Sequence, residues 1–205
     1  MSRIVLCLGL VLGAAGCANI DTVTRGVTLD MPGLVGRAPA VAPVAQMRNY
    51  AVQDVVVNVP QGLSVSEANH FYPLADIVWR GDPIGDRHTQ IADIFRAAAA
   101  RGAETLDGAR PVIVQIDVKR FHGVTERTRF SFGGVYDMVY DMTVFDATTG
   151  AVIEPAHELR VDLPAPGGQA AIELDRTGQT EKVRVTDYLT LMLKQQLEGP
   201  VTPSA

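Results

Sequence analysis

Four histidines, two cysteines and a scatter of carboxylates are the residues of this 205-residue chain that could ligate a metal, attack a carbonyl or move a proton. His70, His88, His122 and His157 are far apart, and no two have the one-helical-turn spacing of a metal-binding pair. The only cysteines are Cys7 and Cys17, so the chain beyond Cys17 carries no thiol of its own. No metal centre and no cofactor is therefore expected. No Gly-x-Ser-x-Gly elbow presents a nucleophile, and no Gly-x-x-x-x-Gly-Lys loop cradles a phosphate. Gly133-Gly134 and Gly167-Gly168 read as turns. Asp137 and Asp141 fall on one face of a predicted strand, about 13 Å apart, too far to share a proton. Solvated aspartates are the expectation there. No catalytic residue is singled out, and the chain is read as not an enzyme.

Two groups are better suited to binding than to catalysis. Arg120, Arg127 and Arg129 cluster in sequence near Asp137 and Asp141. They read either as cross-strand ion pairs or as a surface for a partner or a lipid headgroup. Phe130, Phe132, Tyr136 and Tyr140 read either as ordinary core or as the lining of an apolar groove between sheet and helices. The net charge of −5, with no run of five basic residues, argues against nucleic acid as a partner.

These side chains need elements to hold them, and a 47% hydrophobic chain has ample material for a core. Strands are predicted over residues 52–59 and 74–79, then a helix over 86–101 with Asp86 as N-cap and Gly102 as C-cap. Val112, Val114, Ile116 and Val118 alternate with more polar residues, the pattern of a half-buried antiparallel strand over 111–120. Residues 124–132 continue the alternation. Residues 135–145 form the next strand, and Asp146-Ala147-Thr148-Thr149-Gly150 is a hairpin turn. Residues 151–153 and 158–163 return, 164–178 read as a long loop, and Thr180 opens a last helix that Gly199-Pro200 stops. The expectation is a two-layer α+β sandwich: an antiparallel sheet of about four to five strands with two helices packed on one face.

The N-terminus has the three parts of an export signal: Arg3, an apolar run from Ile4 to Leu12, then Gly13-Ala14-Ala15-Gly16 before Cys17. Leu12 to Cys17 resembles a bacterial lipobox in its relaxed form, since Ala14 stands where a branched apolar residue is usual. The resemblance implies a diacylglycerol on the Cys17 thiol and cleavage just before it. Small residues at Ala14 and Gly16 also suit the ordinary signal peptidase, which would release a soluble periplasmic protein. The apolar run is shorter than the roughly 20 residues a membrane span requires. Ala18 after Cys17 favours the outer over the inner membrane by analogy with known lipoproteins. On this reading residues 1–16 are a signal peptide, 17–47 a proline-bearing tether, 48–199 an α+β domain and 200–205 a tail. The chain would be anchored to a membrane by its N-terminal lipid and face the periplasm.

A second resemblance covers about half the chain. Tyr72-Pro73-Leu74, the helix of Ile91 to Ala99, the strand from Val112 to Arg120, and Met138 to Gly150 with Phe145-Asp146-Ala147-Thr148-Thr149-Gly150 are similar to the auxiliary lipoproteins of ABC-type envelope lipid transporters. This implies a non-catalytic accessory or assembly component of an envelope complex, with an envelope protein as partner. The alternative is a lipid- or small-molecule-binding module with its ligand held between helices and sheet.

Overall fold

The computed structural model describes residues 47–201. The predicted signal, Cys17 and the tether before Met47 lie outside the described residues. The elements in chain order are β1 (Tyr50–Asn58), β2 (Ile77–Val78), α1 (Arg87–Ala103), β3 (Arg110–His122), α2 (Glu126–Arg129), β4 (Gly134–Asp146), β5 (Val152–Ala165), α3 (Gln169–Arg176) and α4 (Glu181–Glu198).

One sheet runs in the order β1-β3-β4-β5, with β2 also paired to β3. The two-layer α+β reading holds. The sheet is mixed, however, where an antiparallel one was expected. β3, β4 and β5 are antiparallel; the β3–β4 connection carries α2, and the β4–β5 connection is a short turn. β1 and β2 run parallel to β3 and lie end to end along its edge. The physical reason is the crossover: α1 carries the chain back across the sheet before β3 begins, and a strand reached that way enters in the same direction.

α1 starts where Asp86 caps it, its side chain accepting a hydrogen bond from the Thr89 amide. Ile91, Ile94, Phe95, Ala98 and Ala99 form its buried stripe. Gly102 is not the cap. It is buried one residue inside the helix end, and a Cβ there would sit 3.0 Å from the Thr190 carbonyl of α4. The glycine lets the two helices approach. Thr180 caps α4, and Val185, Leu189, Leu193 and Leu197 recur every four residues on its buried side.

These two helices cover one sheet face. Ile91, Phe95, Ile116, Tyr140, Leu189 and Leu193 between them are fully buried. Phe95 meets Tyr140 edge to face at 5.1 Å, and Trp79 meets Phe121 at 5.4 Å. The opposite face is polar. Lys119 pairs with Asp141 at 2.7 Å and with Glu158 at 3.1 Å, and Arg160 reaches Asp137 and Glu158.

Three predicted segments come out differently. Residues 124–132 are not a strand: Thr125 caps the short helix α2, accepting from the Thr128 amide, and this local cap wins over a weak alternation. The two pieces predicted for 151–163 are one continuous strand, because Pro155 sits on the sheet edge where its missing N–H costs nothing. The loop predicted for 164–178 contains α3. Its N-cap is Gly168, which offers no side-chain cap to be read from sequence.

Candidate functional site: an aromatic and arginine pole

The site lies at the end of the sheet where β3 finishes and β4 begins. A bulge shapes it. The β3–β4 register shifts between Val118 and Arg120. Val112 to Val118 point into the core on even numbers, and after the bulge the odd-numbered Phe121 is the fully buried residue. Arg120 and His122 are turned to the other face.

Arg120 then donates from Nε to Asp137 at 2.7 Å, from Nη1 to the Ala75 carbonyl at 3.2 Å, and from Nη2 to the Tyr72 hydroxyl at 2.8 Å. Tyr72 stacks on His122 with ring centroids 4.4 Å apart. His122 is buried, and its Nε2 donates to the Pro73 carbonyl at 2.9 Å. The loop before β2 is thus fastened to the end of β3.

α2 fastens the same loop from the other side. The Thr125 hydroxyl donates to the His70 carbonyl and the Thr128 hydroxyl to the Phe71 carbonyl, both at 2.7 Å. The Arg127 amide donates to Asn69 Oδ1 at 2.8 Å. Thr125 and Thr128 are both buried, so these bonds are shielded from competing water. The result is a fixed platform on which Phe71 and Phe132 stack at 5.2 Å and 24°. The Arg127 guanidinium lies 4.7 Å from the Phe71 ring centroid, within cation–π range. Phe71 is 48% exposed and Phe132 73% exposed. Leu74 and Ile84 are exposed nearby in sequence.

The third predicted arginine faces inward. Arg129 pairs with Asp175 of α3 and lies 3.4 Å from Glu181 Oε2 at the start of α4. Glu181 is buried and accepts from the Tyr136 hydroxyl at 2.5 Å, while its Oε2 lacks a hydrogen-bond donor among the described residues. Burial pushes the Glu181 carboxyl above the usual glutamate range, and the Tyr136 hydrogen bond and the Arg129 charge only partly offset it. Gly133 and Gly167 let the two chain segments touch here: a Cβ on Gly167 would lie 2.1 Å from the Gly133 nitrogen. These glycines are a close backbone contact as well as turns.

The three arginines therefore divide. Arg120 makes the cross-strand pair with Asp137. Arg129 is a buried-side strut. Arg127 is exposed, and no ion pair to it occurs among the described residues. The aromatic quartet divides too: Tyr136 and Tyr140 are core, whereas Phe130 and Phe132 are exposed. The four therefore line no common groove between sheet and helices. The other histidines stay apart: His70 is exposed, His88 Nε2 donates to the Leu63 carbonyl, and His157 Nδ1 donates to the Pro155 carbonyl. Among the described residues no group of three metal-ligating side chains converges, and no helix is long and apolar enough to cross a membrane. The Phe71 partner of the stack escaped the sequence reading. Its signal was a Phe-Tyr pair inside an otherwise polar loop.

The model of a family of unknown function, DUF6778, matches residues 50–205. The chain belongs to that family. The match begins at the first residue of β1 and takes in the sheet, the pole and α4. No curated protein matches the chain. Among solved structures, it is similar to a Xanthomonas campestris protein assigned to the DUF330 family model, at 13% identity and a TM-score of 0.44 over 78% of this chain and 87% of that one. It is also similar to a candidate lipoprotein from Caulobacter crescentus, at 18% identity and a TM-score of 0.29 over 52% of this chain and 82% of that one.

Proposed function

We propose that this DUF6778 chain is an envelope lipoprotein, moored through a diacylglycerol on Cys17, facing the periplasm and working without catalysis as an accessory or assembly component of an envelope complex. The observation that carries the reading is the build of the pole. Two exposed aromatic rings stack on a loop whose His70 and Phe71 carbonyls are held by buried threonines, an arrangement suited to recognition. The export-type N-terminus and Cys17 supply the anchoring half, and Ala18 favours the outer membrane.

The test is the intact mass of the mature protein extracted from membranes. The expected species starts at Cys17 and carries the mass of a diacylglycerol. A form recovered from the aqueous fraction with a free Cys17 thiol would refute the anchor and favour release by the ordinary signal peptidase.

A second reading, a small-molecule or lipid module, has one observation in its favour. A cleft of about 540 Å³ lies between the start of β5 and the end of α4, lined by Ile153, His157, Gln195 and Pro200. That volume is within the range of ligand sites. Native mass spectrometry finding no bound small molecule would count against it.

A further inference from the structure

We infer that the pole is a protein-docking surface, anchored by the Arg127–Phe71–Phe132 stack, whose occupant is a segment of a partner protein presenting an apolar side chain beside a carboxylate. This rests on the accessory-component reading and names the class of partner. Charge complementarity points to the carboxylate. Arg120 and Arg129 are neutralised within the chain, while Arg127 is exposed without an ion pair among the described residues. Its guanidinium is held over the Phe71 ring with its donors available. The stacked rings beside it offer a flat apolar face, and arginine with aromatic rings is the composition of interface hot spots.

The charge around the stack points to a protein and not to the anchoring bilayer, and the stack stands away from the point where the chain enters the domain. Met47 is bridged to Pro200, and Tyr50 pairs with Arg110 at the start of β3. The stack lies beyond His122 at the other end of that strand, about 40 Å away by strand rise. The chain joins the domain at one pole, and the stack is at the other. The rim is also wrong for an anionic membrane surface. Glu67, Glu126 and Asp175 keep 42%, 47% and 36% of their side chains exposed around it. Each is paired with an arginine of the chain, Glu67 with Arg80 and Arg87, Glu126 with Arg80 and Asp175 with Arg129, so among the described residues the rim adds no cluster of unpaired cations for acidic headgroups, whereas one carboxylate of a protein segment suffices for Arg127. The platform is ordered before any partner arrives, which lowers the entropic cost of docking.

The test uses the full chain in cells, with a photo-cross-linking benzoylphenylalanine at Leu74, which is 94% exposed and outside the stack. A matching probe at Val56, on the polar sheet face, is the control. The expected result is one discrete protein adduct from position 74 and none from 56. Mass spectrometry should place the cross-link in a partner segment with an Asp or Glu within a few residues of an apolar side chain. Arg127→Glu should cut the adduct about tenfold or more, and Arg127→Lys, which keeps the charge, should retain more of it. Phe132→Ser, at an exposed position, should also remove it. An adduct only to phospholipid, an adduct to a second copy of this chain, equal yield in Arg127→Glu, equal loss in the two Arg127 variants, or no adduct would each overturn the proposal. The intact mass of the same preparation reports Cys17 separately. An unlipidated chain that still gives the adduct refutes the anchor alone; a lipidated chain without it refutes the docking surface alone.

Discussion

Glu154→Gln is the sharpest probe of how this domain is closed at the pole where the chain enters. Glu154 is 5% exposed, on the edge strand β5. Its carboxylate accepts from Arg48 Nε at 2.7 Å and Arg48 Nη2 at 2.6 Å, and from the Tyr50 hydroxyl at 2.6 Å. Arg48 also donates to the Gly199 and Pro200 carbonyls, so one buried cluster ties the start of the domain, β5 and the end of α4 together. Burial alone would raise the Glu154 carboxyl, but the hydrogen bonds from Arg48 and Tyr50 outweigh it and hold it below its ordinary value of 4.5.

Glutamine keeps one acceptor but leaves the Arg48 charge buried without a counter-charge, and breaking such a pair costs about 3–5 kcal/mol. The retained acceptor puts this variant near the low end, about 3 kcal/mol, or a fall in Tm of roughly 6–12 °C for a domain of this size. The sign with pH follows from the depressed carboxyl. Its contribution is complete above the unfolded value near 4.5 and is lost as the pH falls through the lower folded value. Thermal denaturation of wild type and variant at pH 7 and at successively lower pH should therefore show a gap that closes in acid. A variant melting within about 1 °C of wild type at pH 7 would refute the reasoning, as would a gap that widens in acid.

Three further outcomes are expected. Glu181→Gln should have a much smaller effect at pH 7, within about 1 kcal/mol of wild type, because the carboxylate it removes is disfavoured by burial. Wild type should then gain on the variant as the pH falls through the raised folded value towards 4.5, measured by urea midpoints; the opposite trend would refute the assigned direction. Tyr140→Phe removes a fully buried hydroxyl with no hydrogen-bond partner among the described residues and should stabilise the protein by about 1 kcal/mol; a loss of stability in denaturant titration would show that the hydroxyl is satisfied. Gly167→Ala forces its methyl group against the Gly133 nitrogen and the Phe132 carbonyl carbon, so backbone must move. It should cost about 1–3 kcal/mol by thermal denaturation, and an unchanged Tm would refute the close contact.

Local chemistry was legible in the sequence. The stripes of α1 and α4, the caps Asp86 and Thr180, and the alternation in β3 each follow from residues within a turn or two of one another. So does the turn at Asp146, whose side chain accepts from the Thr148 and Thr149 amides while Gly150 adopts a φ of 71°. α3 was illegible because Gly168 gives its start no side-chain cap, and α2 because one capped turn sits inside an alternating run.

What only the tertiary structure decided are the pairings between distant residues. The parallel entry of β1 depends on the path of α1, and no residue of β1 encodes it. The bulge after Val118 changes the side on which every later β3 residue falls, so alternation read forward from Val112 misplaces Arg120 and Phe121. Phe71 meets Phe132 at one end of the sheet and Arg48 meets Glu154 at the other, each across a long sequence separation that only the folded layers close. Periodicity reports which face a side chain takes; which partner waits on that face is set by how the layers close, and that is a property of the whole chain.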